Sequence, residues 1–136
     1  MKRCFVALLG LLFLSAGWAP AGDESVLEGK LVRQAGDKPA IETAPGRFVA
    51  LEGDAETMEV LADERLLGRR LGLRGSYVSG GEFRVAPFHT KAFWVVENGK
   101  KLYVSYWCET CAIRTYTPGV CMCCQKETEL QLRETL

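Results

Sequence analysis

Apolar and polar positions alternate through the first part of the chain. In SVLEGKLVRQ the alternation contains Gly29, the pattern of a strand that bends within a sheet. GDKP then predicts a turn, AIETA a weaker second strand, PG another turn and RFVALEG a third strand. The period changes in DAETMEVLADERLLG. Met58, Leu61, Ala62 and Leu66 recur at helical spacing, Asp54 can cap the start, and Gly68 closes the segment. Alternation returns in RRLGLRGSYV, SGG turns the chain, and EFRVAPFH reads as a fifth strand. The predicted order is β-β-β-α-β-β. Beyond it, FWVV and KLYVSYW flank Asn98-Gly99, the strongest short hairpin signal in the chain. The last segment, QKETELQLRETL, reads either as a strand with Leu130 and Leu132 alternating or as a frayed helix.

This order resembles the OB-fold, a small Greek-key barrel of five strands. The fragments LEGKLV, ALEGD and LLGRRLGLRGSYV…EFRV are similar to those of small secreted bacterial OB-type domains, over roughly Ser25 to His89. The resemblance implies a mainly β fold with one helix and one modest core. It also implies a groove that other members use for oligonucleotides, sugars or peptides. No ligand is carried over from fold alone. The expected organisation is a leader at 1–21, an OB-like barrel at 22–90, and a β-hairpin with a cysteine module at 91–136 packed on the barrel.

The leader changes the picture of charge and compartment. MKR is a basic start, CFVALLGLLFLSAGWA an apolar run, and Ala19-Pro20-Ala21 a small-residue cleavage pattern, which together read as a secretory signal cut after Ala21. The run is shorter than the roughly twenty residues of a membrane span, and an uncleaved anchor is the competing reading. Cys4 stands near the start of the run, not at its end, so it is no lipoprotein attachment site. The expected location is the bacterial periplasm or the medium. Losing Lys2 and Arg3 from 17 basic residues leaves 15 against 17 acidic ones. That balance does not favour nucleic acid or anionic membranes, which recruit clustered positive charge. RLLGRRLGLR, with Arg65, Arg69, Arg70 and Arg74, is the one basic cluster and reads as a solvated face.

The chemistry concentrates in YWCETCAIRTYTPGVCMCCQ. Its spacing is Cys108-x2-Cys111-x9-Cys121-x2-Cys124, with Cys123 inside the second pair. Two CxxC units around a Pro118-Gly119 turn fit a tetrahedral four-thiolate site, and Zn2+ is the default ion for four thiolates with no open position. Iron suits the same ligands, and copper(I) is a further reading of CMCC with Met122. The hairpin feeding a CxxC resembles the zinc ribbon and the rubredoxin-like knuckle. It departs from them in lacking the usual proline and glycine around each pair, which leaves Cys123 as the alternative to either ligand of the second pair.

Other uses of these thiols compete. An exported chain meets oxidising conditions that form disulfides, although five cysteines beyond the leader leave at least one unpaired. LYVSYWCETC resembles the approach to the active site of thioredoxin-like proteins. Only 25 residues follow Cys111, and Pro118-Gly119 breaks any long helix among them, so that fold is excluded. A catalytic dithiol on another fold remains. Covalent haem wants CxxCH, and residue 112 is alanine. His89 could join three cysteines at a metal, or be an ordinary hydrogen-bonding histidine at a strand end.

Phe83, Phe88, Phe93, Trp94, Tyr103, Tyr106 and Trp107 cluster from the fifth strand through the hairpin. They read as core between barrel and module, with a stacking platform in a binding groove as the sharper alternative. No nucleophile elbow or phosphate loop appears, and Glu24, Glu28, Glu42, Asp54 and Glu56 show no acid–base pairing. The sequence therefore reads as an exported, non-catalytic binding or structural module with a Cys4 zinc site, facing an unknown protein or small ligand. A thiol–disulfide redox or copper-handling protein using the same cysteines is the second reading.

Overall fold

The computed structural model describes residues 23–136, so the leader reading and Cys4 lie outside the described residues. The elements are β1 (Ser25–Gln34), β2 (Lys38–Ala44), β3 (Arg47–Glu52), α1 (Ala55–Leu61), β4 (Arg70–Tyr77) and β5 (Phe83–Val85). β1 pairs antiparallel with β2 and β4, β2 pairs with β3, β3 runs parallel to β5, and β5 pairs back to β4. The ring 1-2-3-5-4 closes on itself as a five-stranded, OB-like barrel with α1 between β3 and β4. One strand serves two neighbours: Ser25–Lys30 of β1 face β4, while Lys30–Gln34 face β2. Gly29 sits at this bend, where a Cβ would collide with the Glu42 carbonyl oxygen and with Ile41 Cγ2. Only glycine allows β1 to curl that tightly onto its partner.

Leu27, Leu31, Ile41, Leu71, Leu73 and Phe83 fill the barrel, and Val60, Leu61 and Leu66 close it. Asp54 caps α1 by accepting the Thr57 N–H at 2.8 Å. The helix is shorter than the sequence period predicts. It ends at Leu61, and a separate 3-10 turn, Glu64–Leu66, follows. The cause is Asp63, whose carboxylate accepts the Arg65 N–H at 2.9 Å and so starts a new turn in place of another helical one. The buried face consequently shifts to Thr57, Val60, Leu61 and Leu66, leaving Met58 half-buried and Ala62 exposed. Gly68, at φ 77°, ends the segment and donates its N–H to the Leu31 carbonyl at 2.9 Å.

The fifth strand is also interrupted. Pro87 lacks an N–H, and the chain leaves the sheet through a 3-10 turn at Phe88–Thr90 before resuming as β6 (Phe93–Glu97) on the same edge of β4. Arg74 holds both ends of the excursion: its carbonyl accepts from Ala86 and its N–H donates to Ala92. The Asn98-Gly99 turn, both residues at positive φ, links β6 to β7 (Lys100–Cys108). β8 (Ile113–Thr115) pairs with β7, and β9 (Glu129–Arg133) pairs with β7 as well, so the terminal segment is a strand and not a helix. The cysteine module thus extends the barrel's own sheet. Phe83, Phe88, Phe93 and Tyr106 join the common core. Trp94 is buried elsewhere, packed on Gly72 under the Lys101 ammonium, while Tyr103 and Trp107 are half-exposed beneath Lys91 and Arg114.

Candidate metal centre

Two turns of the same design build the centre. β7 carries Cys108 to its end, the chain reverses through Glu109-Thr110-Cys111, and Cys108 pairs with Ile113 on the return. The second turn is bracketed by a bridge between Val120 and Glu127, with the Cys121 N–H donating to Lys126 at 2.8 Å and Gln125 N–H to Cys121 at 2.9 Å. The residue after each CxxC has left-handed backbone, φ 52° at Ala112 and 61° at Gln125. Both turns therefore form without the glycine that would relieve them. A side chain there costs about 1–2 kcal/mol, partly offset by the entropy that a glycine loses on folding. Ala112→Gly is expected to stabilise the metal-loaded protein by roughly 0.5–1 kcal/mol, read as a higher urea midpoint at unchanged slope.

The four sulfurs of Cys108, Cys111, Cys121 and Cys124 lie within 4.8 Å of one another. Cys108 Sγ and Cys124 Sγ are 3.5 Å apart, and all five cysteines from 108 onward are free thiols. A tetrahedral zinc with sulfur at about 2.3 Å needs sulfurs about 3.8 Å apart, so the residues fit the ion with little movement. Cys108 and Cys121 are buried, Cys111 and Cys124 half-buried, and Cys123 is exposed. Neither Cys123 nor His89 belongs to the group. His89 instead lines a separate cleft of about 460 Å³ with Glu56, Phe88, Lys91 and Tyr116, which removes it from the ligand set.

Backbone dipoles graduate the thiols. N–H groups of Cys124 and Cys123 aim at the Cys121 sulfur and lower its pKa from 9.0 to about 7. The Cys111 N–H pulls Cys108 the same way, but burial and hydrogen bonds with Cys124 and Cys121 outweigh it and leave Cys108 raised. Cys111 is pushed far above the ordinary thiol range, first by its hydrogen bond with Cys123 and then by Cys124. A divalent ion held by these four cysteines would replace their protons and let all four ionise. Lys126 donates to Thr110 Oγ1 at 3.2 Å and ties one turn to the other.

A buried polar junction beside the centre has no motif of its own. Asp63 accepts from Tyr106 Oη at 2.9 Å and takes a two-pronged contact from Arg65 Nε and Nη2. Arg65 Nη1 continues to the Thr128 carbonyl at 2.9 Å, and Thr128 Oγ1 donates to the Gly119 carbonyl at 2.7 Å. The barrel is thereby fastened to the strand that leaves the second cysteine turn. The only hint in the sequence is Asp63-Glu64-Arg65, which the helical period absorbs. The remaining arginines of the basic cluster are paired: Arg69 with Glu97, Arg70 with Glu28, Arg74 with Glu24.

Comparison with family models, with curated proteins and with solved structures returned no match to this chain.

Proposed function

We propose that this chain is an exported, non-catalytic binding module whose C-terminal ribbon is held by one structural Zn2+ on Cys108, Cys111, Cys121 and Cys124. The observation that carries the reading is four sulfurs within 4.8 Å on two matching turns, two of them buried. Zinc suits four thiolates that close a tetrahedron and leave no position for a reacting group. Iron accepts the same ligands, and copper(I) is drawn to thiolates too, but a closed four-sulfur shell is the arrangement of a structural zinc. The leader supports export to the periplasm or the medium. The barrel wall is then the surface offered to a protein or small ligand. The carboxylate partners of Arg65, Arg69, Arg70 and Arg74 argue against a polyanion as that ligand.

Elemental analysis of the isolated protein, alongside thiol counting, tests the proposal. One zinc per chain with one rapidly reacting thiol is the expected result. Metal-free protein carrying two disulfides overturns it. Replacing zinc by cobalt(II) is expected to give the intense charge-transfer and d–d absorption of a tetrahedral tetrathiolate. The second reading, thiol exchange at the same cysteines, is favoured by one observation: the free thiol of Cys123 is exposed next to Cys124.

A further inference from the structure

β9 stands at the edge of the sheet. β7 is its one strand partner among the described residues, so its other side carries a row of backbone N–H and C=O groups that no strand meets. The side chains alternate along it. Leu130 and Leu132 pack against the core and are half-buried, while Glu129 and Arg133 are exposed on the opposite face. Glu134, just beyond the strand, is bridged to Lys100. Neither Glu129 nor Arg133 has an ion pair among the described residues.

Charged residues on an edge ordinarily blunt strand pairing. Here their signs and spacing favour one partner. ELQLR read antiparallel against itself is self-complementary: with Gln131 opposite Gln131, Glu129 meets Arg133 and Leu130 meets Leu132. We propose that β9 is a self-association edge, on which a second copy of this chain pairs its own β9 antiparallel about a two-fold axis at Gln131. The same patch serves both copies, so each contact forms twice. Backbone groups of the two edges bond to one another, Glu129–Arg133 pairs form on one face, and the leucines of the two chains cover each other on the other.

The sequence selects this register over its neighbours. A one-residue slip sets the leucine face of one copy beside the polar face of the other. A two-residue slip in one direction sets Leu132 against Thr128, whose hydroxyl is already given to the Gly119 carbonyl. In the other direction it sets Leu130 against Glu134, already held by Lys100. Neither slip brings Glu129 opposite Arg133. A strand of five residues makes a small join, so the association belongs at the weak end of protein interfaces.

Sedimentation velocity over rising protein concentration tests the proposal, with reductant present so that exposed Cys123 cannot crosslink copies. Wild type is expected to pass from monomer to dimer. Glu129→Arg and Arg133→Glu each set like charges opposite one another and are expected to weaken self-association at least about tenfold. One of these strands has arginine at both ends and the other glutamate, so an equal mixture of the two variants is expected to form heterodimers as tight as the wild-type dimer. The double variant Glu129→Arg with Arg133→Glu restores both pairs and is expected to dimerise by itself. Far-UV circular dichroism checks that each variant is folded. Single variants as dimeric as the wild type place the interface elsewhere and overturn the proposal. Single variants that dissociate but do not combine on mixing overturn the register, and the proposal with it. A wild type still monomeric at about 1 mM overturns it outright and leaves the edge to a strand of another protein.

Discussion

Stripping the metal is expected to unfold the segment from Glu109 to Glu127 while the barrel stays folded. Over those residues the one buried side chain is Cys121. β8 contributes three residues, and the second turn is closed by a single bridge. Ordering backbone costs about 1–2 kcal/mol per residue, and so little apolar burial cannot offset that. Structural zinc supplies about 10–16 kcal/mol in comparable small modules. The barrel has its own core around Leu31, Ile41, Leu71 and Phe83 and is expected to hold without the ion. Amide exchange should therefore lose its protection from 109 to 127 after chelation and keep it in β1, β2 and β4. Cys121→Ser is expected to weaken zinc binding by at least about a hundredfold, taking roughly a quarter of the binding energy per thiolate. Acid should act in the same direction as the chelator, because protons compete for the sulfurs. In the metal-free protein Cys121 is depressed from 9.0 to about 7, so its contribution is complete above the ordinary thiol range. That contribution fades as pH falls through 7. Uniform retention of protection, or simultaneous collapse of barrel and ribbon, would contradict this assignment of stability.

The barrel was legible because its signals are local. Period-two alternation with glycine at the bend marked β1, and Asn98-Gly99 marked the β6–β7 turn. The two CxxC spacings named every sulfur that the structure brings together. What the sequence hid depends on distant partners. The helical period runs on through Leu66, yet Asp63 is committed to Tyr106, a residue forty-three positions away, and the helix stops. EFRVAPFH reads as one fifth strand, but the chain leaves the sheet after Val85 and resumes as β6 on the same edge of β4. The arginine cluster reads as a solvated face, but its spacing does not reveal that Arg69, Arg70 and Arg74 pair with Glu97, Glu28 and Glu24 from other strands or their ends. Spacing also could not choose between Cys123 and Cys124. Adjacent side chains on a tight turn diverge, so one faces the centre and its neighbour faces solvent.

Asp63→Ala is expected to loosen the ribbon from the barrel without disturbing the metal site. The carboxylate is the common acceptor for Tyr106 Oη and for two Arg65 nitrogens, and removing it strands a buried phenol beside a cation. Breaking a buried pair from one side costs about 3–5 kcal/mol. The Arg65 side chain keeps 39 % of its exposure, which leaves it partly hydrated and places the expected loss near 3 kcal/mol. Tyr106→Phe removes one hydrogen bond and should cost about 1–2 kcal/mol. The two substitutions share a partner and should combine to less than their sum. Burial by itself would raise the Asp63 carboxyl, but the Arg65 side chain and N–H and the Tyr106 hydroxyl outweigh it and hold it below the usual range. Its stabilising contribution is thus complete above the ordinary aspartate value and is lost as pH falls through the lower folded value. The difference in unfolding free energy between wild type and Asp63→Asn should shrink over that acid range. None of the junction's hydrogen bonds runs to one of the four sulfurs, so the cobalt(II) spectrum of Asp63→Ala should match that of the wild type. A shifted spectrum, or a loss below about 1 kcal/mol in urea unfolding, would show that the junction does not hold the two parts together.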